Sequence, residues 1–238
     1  MKTFSRVLIP AALLPLAAMA TATQAAVVHV RPITIELQAP ASAATLTLTN
    51  KGKELVTSQV RVFRWTQVKG RDVLKPTRDV VVSPPILRMR PGRENVIRVV
   101  RTSKRPVRGQ ENYRIIVDQL PGKRRKGVGV VFAMRYSIPV FFFNKKATPP
   151  RLSWKAVKRG SKIILTARNS GERHERIARM KIVSASGKTI TVSKGLAGYV
   201  LGKSYRMWNI PAKASFSGVI TIKGQGIYGP IRAKVRLR

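Results

Sequence analysis

The side chains able to do acid–base or metal chemistry in this chain are few and far apart. Its 238 residues include two histidines, His29 and His174, nine acids and no cysteine. A metal centre gathers three or four His, Cys or carboxylate ligands, and isolated histidines without cysteine do not predict one. His174 lies in "GERHER", which reads as a turn rather than a ligand set. Glu172 and Glu175 beside it read as a charged surface loop. No Gly-x-Ser-x-Gly elbow and no phosphate-cradling glycine loop is present. "KGQGIYG" at 223–229 is glycine-rich, but it reads as a hairpin turn between two strands. The expectation is a protein with no catalytic residue, no metal and no cofactor, and so not an enzyme.

Positive charge is what the chain has in excess. It carries 47 Lys and Arg against 9 Asp and Glu, a net charge of +38. The charge is not a tail, because residues 26–146 hold 25 bases and 7 acids, and residues 147–238 hold 20 bases and 2 acids. Spread charge repels copies of the protein and attracts polyanions non-specifically. The one dense run, "KRRKG" at 123–127, reads as a solvated hairpin loop or as a polyanion contact. Interleaved exposed aromatics, the platforms of single-strand binders, are missing, so no specific nucleic acid is expected. Few carboxylates also suggest acid resistance, since protonating paired carboxylates drives acid unfolding.

The elements that position these residues are strands. Residues 1–25 read as a secretory signal peptide, with Lys2 and Arg6 ahead of the apolar "VLIPAALLPLAAMA" and with Thr23 and Ala25 at the cleavage positions. The competing reading is an uncleaved anchor, disfavoured by Pro10 and Pro15. Beyond it, "ATLTLTN", "QVRVFRW", "ENVIRVVRT" and "NYRIIVDQL" alternate apolar and polar residues with period two, as half-buried strands do. "KIILTARN", "RMKIVSAS", "GVITIKG" and "RAKVRLR" repeat the pattern in the second half. Turn signals such as "NKGKE" and "RPGRE" separate them, and no amphipathic helix appears. Pro149 and Pro150 in "NKKATPPR" interrupt pairing and mark a boundary. The fold class expected is all-β: two immunoglobulin-like β-sandwich domains, 26–146 and 147–238, joined at an elbow.

One stretch does not fit an ordinary strand. "GVGVVFAMRYSIPVFFF", residues 127–143, is apolar at nearly every second position. Fully extended it would reach roughly 55 Å, whereas a typical strand is about five or six residues long. A central core strand explains part of it but not its length.

The segment "VVVSPPILRMRPGRENVIRVVR", residues 80–101, carries a specific order: strand, Ser83-Pro84-Pro85, a short interval, Pro91-Gly92, strand. With "ATLTLTN", "VRVFRWTQ", "ENYRIIVDQLP" and "RYSIPVFF", it resembles the PapD-like periplasmic pilus chaperones of the chaperone–usher pathway. "ITIELQAPASAATLTLTN" and "SIPVF" lean towards the archaic branch. The likeness covers residues 28–150 and is only architectural beyond them. It implies a periplasmic chaperone that lends its seventh strand to an incomplete pilus subunit, donor-strand complementation, and hands the subunit to an outer-membrane usher. Under it, Val128, Val130, Phe132 and Met134 plug the subunit groove, Tyr136 and Ile138 continue that face, Pro139 ends regular pairing, and Phe141 to Phe143 pack at the domain junction. The free protein would hide the same strand by self-association. The alternative function is a cationic exported β-sandwich protein that binds anionic polymers.

The match departs where the family anchors the subunit's terminal carboxylate with two bases. Thr34 and Pro139 stand at those positions. Arg135 and Arg31 are the nearest bases, and Arg88 and Arg98 flank the proline segment. The resemblance makes Ser83, Pro84, Pro85, Pro91, Gly92 and Glu111 structural. Glu111 matches the acid of the family's interdomain ion pair, but Phe143 stands where its arginine is usual, so apolar packing between the domains is expected.

Overall fold

The computed structural model describes residues 28–121, 133–212 and 216–238. Among them every regular element is a strand. Residues 1–25, read above as a signal peptide, the "KRRKG" run, and Val128, Val130 and Phe132 lie outside the described residues.

The first sandwich is built from β1 (Val28–Arg31), β2 (Ile35–Gln38), β3 (Ala43–Asn50), β4 (Val56–Val68), β5 (Arg71–Pro76), β6 (Val80–Ser83), β7 (Ile86–Met89), β8 (Glu94–Arg101), β9 (Gln110–Gln119) and β10 (Arg135–Phe143). One sheet runs β1-β3-β8-β6, and the other runs β2-β10-β9-β4-β5 with β7 also on β4. Period-two alternation decides which residues face inward. Leu46, Leu48, Ile97, Ile115, Ile138 and Phe142 share one core between the sheets. Burying such a side chain contributes about 1.5–3 kcal/mol.

The proline segments are where a strand changes sheet. β6 pairs β8 in one sheet, and β7 pairs β4 in the other. Ser83-Pro84-Pro85 spans the crossing, because two residues without an N–H cannot continue a ladder. The Pro85 carbonyl is taken by the Val60 N–H at 2.8 Å. Similarly, β1 pairs β3 and β2 pairs β10, with Pro32 between them. Pro91 and Gly92 turn the chain from β7 into β8, with Gly92 at a φ of 70° that a side chain would strain. The Gly92 N–H donates to the Asn50 carbonyl at 2.8 Å.

The second sandwich comprises β11 (Leu152–Arg159), β12 (Lys162–Asn169), β13 (Glu175–Ser184), β14 (Thr189–Thr191), β15 (Leu196–Val200), β16 (Ser204–Pro211), β17 (Val219–Gly226) and β18 (Gly229–Arg236). Its sheets run β11-β12-β16 and β14-β13-β17-β18, with β15 on β13. Its core is separate and holds Ile163, Leu165, Ile182, Phe216, Ile220 and Ile222. The β17–β18 hairpin turns at Ile227 and Tyr228, inside the glycine-rich stretch read as a turn.

Both sandwiches use the same device at the end of a central strand. Asn50 ends β3 in "TNKGKE", and Asn169 ends β12 in "RNSGER". Each is buried and accepts from the N–H two residues on, Gly52 at 2.9 Å and Gly171 at 3.0 Å. Each amide also donates to the carbonyl four residues on, Glu54 at 2.6 Å and Arg173 at 2.7 Å, and to a distant carbonyl, Met89 or Val200. One side chain thus satisfies the backbone of a whole corner.

Candidate functional site

β10 carries the described end of the long apolar stretch singled out in the sequence. It pairs with β9 in unbroken antiparallel register from Arg135 opposite Asp118 to Phe143 opposite Gln110. Pro139 does not end this pairing, contrary to the sequence expectation, and it faces Arg114 in the ladder. Its missing N–H matters on the other edge. There β2 joins in parallel only from Val140 to Phe143. Over Arg135–Pro139, β10 has no partner on that edge among the described residues. The open edge leads towards Met134, whose carbonyl is taken by the Gln119 N–H at 2.9 Å and whose side chain is exposed.

The two faces of β10 do different things. Ile138, Val140 and Phe142 enter the first core, with half-buried Tyr136 against it. Of the three phenylalanines expected at the domain junction, Phe141 sits at its centre, in a cluster with Trp65, Tyr199 and Leu201. Phe142 belongs to the first core and meets Tyr113 edge-on. Phe143 lies beneath the Arg173 guanidinium, 4.1 Å from its ring centre.

The junction joins the sandwiches by packing and by polar contacts. Phe141 stacks on His174 with ring centres 3.6 Å apart, and Trp65 meets Tyr199 edge-on at 5.3 Å. The Gln67 amide donates to the Tyr199 carbonyl at 2.8 Å and accepts from the Leu201 N–H at 3.0 Å. Two ion pairs cross as well: Arg206 with Asp72 and Arg173 with Glu36. Gly171 permits the elbow to close, because a Cβ there would lie 1.9 Å from the Pro149 carbonyl oxygen.

His174 is therefore no surface turn. Its side chain is 1% exposed, and Nδ1 donates to Gln110 Oε1 at 3.1 Å. Burial pushes its pKa down to about 3, and Arg173, Arg176 and Arg114 add to the shift. Glu175 is not on a surface loop either. It is buried, and its Oε1 accepts from the Ile227 N–H at 2.6 Å and the Arg176 N–H at 3.0 Å.

The bases singled out in the sequence do not gather at the junction. Arg135 is ion-paired with Asp118, which also holds Arg61. Arg31 ends β1 opposite Thr47, before the chain crosses to Thr34 and β2 in the other sheet. Arg98 is exposed on β8, between Thr45 and Ser83, in the sheet that excludes β10. Arg88 is exposed on β7 opposite Thr57, at the far end of the sandwich. Glu111 stays within the first sandwich, receiving both Arg101 Nε and Nη2 at 2.8 Å and the Tyr113 hydroxyl at 3.0 Å.

A base absent from that set occupies the junction. Arg114 on β9 faces Pro139, and its guanidinium lies 3.8 Å over the Trp65 ring and 5.1 Å from that of Tyr199. Its hydrogen bonds are two long ones, 3.4 Å each, to the Ser137 carbonyl and hydroxyl. No carboxylate pairs with it among the described residues. Burial lowers its pKa. The one sequence signal was its place on the outward face of "NYRIIVDQL", beside the apolar Ile116.

The family model described as the pili and flagellar-assembly chaperone, PapD N-terminal domain, matches residues 27–146. Among solved structures, the chain is similar to one from the CsuC–CsuE chaperone–tip adhesion subunit pre-assembly complex of the archaic chaperone–usher Csu pili of Acinetobacter baumannii. The identity is 25%, the match covers 90% of this chain and 100% of that one, and the TM-score is 0.69. A chain of the Salmonella enterica SafA pilin–SafB chaperone complex shares the fold at 20% identity, with coverages of 89% and 98% and a TM-score of 0.63. The E. coli chaperone DraB shares it at 18% identity, with coverages of 90% and 98% and a TM-score of 0.60. No curated protein sequence matches the chain.

Proposed function

The chain belongs to the PapD-like family of pilus chaperones and serves pilus assembly, and from that premise we propose that it holds pilus subunits by donor-strand complementation and delivers them to an outer-membrane usher. The observation that carries this reading is the outer edge of β10 over Arg135–Pro139, which is unpaired among the described residues. An unpaired edge is a template for another strand, and natural chaperones and their pilins use such addition. In the sequence, the period-two positions of Ile138 and Tyr136 continue to Met134, Phe132, Val130 and Val128. Those four are the groove-filling side chains in this reading. The protein is then periplasmic, with residues 1–25 removed on export and the domain limit at 146. Without a subunit, it covers the edge by pairing with a second copy.

Arg114 is the base we assign to the subunit's terminal carboxylate. It lies in the junction beside the open edge, is partly stripped of water, and has no acid of its own among the described residues. An incoming carboxylate would supply a charge-assisted bidentate pair.

The test is co-expression with a pilus subunit that lacks its own last strand. A one-to-one complex that survives high salt, and that fails with Val130→Asp, Phe132→Asp or Met134→Asp, supports donation. A subunit that stays soluble without this protein, or a complex that dissociates in salt, overturns it.

A further inference from the structure

The second sandwich places bases opposite one another with no acid paired to them among the described residues. On the outer face of its larger sheet, Lys181 of β13 is the register partner of Lys223 of β17. Lys223 is in turn the partner of Arg232 of β18. The row continues along β18 through Lys234 and Arg236, which are exposed, while Ile231, Ala233 and Val235 between them pack on the core. None of these five bases forms an ion pair among the described residues. The two acids after residue 146, Glu172 and Glu175, are spent on backbone N–H groups near the junction.

This arrangement works against folding. Like charges directly opposite across strands destabilise a sheet. Elsewhere the chain relieves such a pair: Arg64 faces Lys75, but Asp79 lies 2.8 Å from Arg64. Protection of an edge strand explains charge on β18. It does not explain Lys223 and Lys181, which lie on interior strands of the same sheet.

We propose that this face docks on the phosphate headgroups of an anionic phospholipid surface. Its bases run in one row across three strands, about 4.8 Å apart, and in one line along β18, about 6.7 Å apart. Bases spread over an open sheet face can each meet a phosphate of a headgroup layer. Among the described residues the row itself carries no aromatic on which to stack bases, the exposed Tyr228 lying at the hairpin turn beyond it, so a nucleic acid is the less suited polyanion.

The experiment compares binding of the purified protein to vesicles of phosphatidylcholine with and without phosphatidylglycerol. The variant Lys223→Gln/Arg232→Gln/Lys234→Gln should lose anionic-vesicle affinity on the order of a hundredfold. A control with the same charge loss on the first sandwich, Lys51→Gln/Lys53→Gln/Lys104→Gln, should stay within about threefold, since those side chains lie off the face. Arg232→Lys/Arg236→Lys keeps the charge and should keep binding. Lys223→Thr alone should weaken vesicle binding and yet raise the second domain's Tm by a few degrees, because it removes two opposed pairs. Equal losses in both triple variants would make the attraction a diffuse property of net charge and overturn the proposal. Tighter binding of a single-stranded oligonucleotide than of the vesicles at the same salt, lost in the face variant, would also overturn it in favour of a nucleic acid.

Discussion

Arg101 and Arg114 show how differently two arginines serve the same sandwich. Arg101 is 8% exposed and grips Glu111 with two parallel bonds. Burial pushes Glu111 up, but the bonds from Arg101 and Tyr113 outweigh it and hold the carboxyl below its usual range. Removing one partner of such a pair leaves a buried charge alone. Arg101→Ala should therefore destabilise the protein by about 3 kcal/mol in urea unfolding. Arg114 has no such partner, so its loss should leave stability within about 1 kcal/mol. Under the chaperone reading, Arg114→Ala should instead weaken the subunit complex by about 2–4 kcal/mol, read from its dissociation constant. An unchanged constant would remove Arg114 from the anchor.

At the scale of the element, strand ends carry as much information as strand interiors. Asn50 and Asn169 each close a corner with three or four hydrogen bonds, and the motif Asn-x-Gly marks both. Replacing either with Ala orphans buried backbone groups, and each change should cost about 2–4 kcal/mol by chemical denaturation. Gly171 adds a second duty, since its bare Cα lets Pro149 approach. Gly171→Ala should loosen the elbow, seen as faster proteolysis between residues 144 and 151, while the first sandwich keeps its own unfolding midpoint. The alternation of "ATLTLTN" and "KIILTARN" made β3 and β12 readable, because a half-buried sheet imposes period two. The sheet changes at Pro32 and Pro84-Pro85 were visible only as interruptions. Which sheet each piece joins depends on partners distant in sequence.

At the scale of the whole molecule, the junction governs the response to acid. His174 has a pKa of about 3 in the fold, against about 6.5 when free. The folded state thus binds fewer protons than the unfolded chain between those values. Its contribution is complete above pH 6.5 and falls as pH drops towards 3, by up to about 1.4 kcal/mol per unit. Glu111 and Asp118, whose pKa values are also lowered, lose their contributions only below the ordinary carboxylate range. Between pH 6.5 and about 4.5 the slope should belong to His174, and His174→Phe should flatten it in thermal unfolding across that window. An unchanged slope in the variant would place the sensitivity elsewhere. The scarcity of carboxylates pointed to acid resistance, but one buried imidazole, facing Glu36 and ringed by Arg114, Arg173 and Arg176, argues the other way.

The sequence by itself determined the β class, the two sandwiches and the family resemblance, and it singled out the long apolar stretch that ends in β10. Each of these is written locally, in alternation, turn residues and proline pairs, and local patterns survive without knowledge of the fold. Tertiary structure alone decided what lies between the sandwiches. Trp65 alternates away from its own core and would read as exposed, yet it packs with Phe141, which the resemblance puts at the junction, against Tyr199 and Leu201 of the second sandwich. His174 and Glu175 sit in a charged stretch that reads as surface, yet Phe141 and Gln110 of the first sandwich cover His174 and the β17–β18 hairpin covers Glu175. Arg114 is one base among 47 until register places it beside Pro139 and against Trp65. Burial at a domain junction is set by residues scores of positions apart, and no local pattern encodes it.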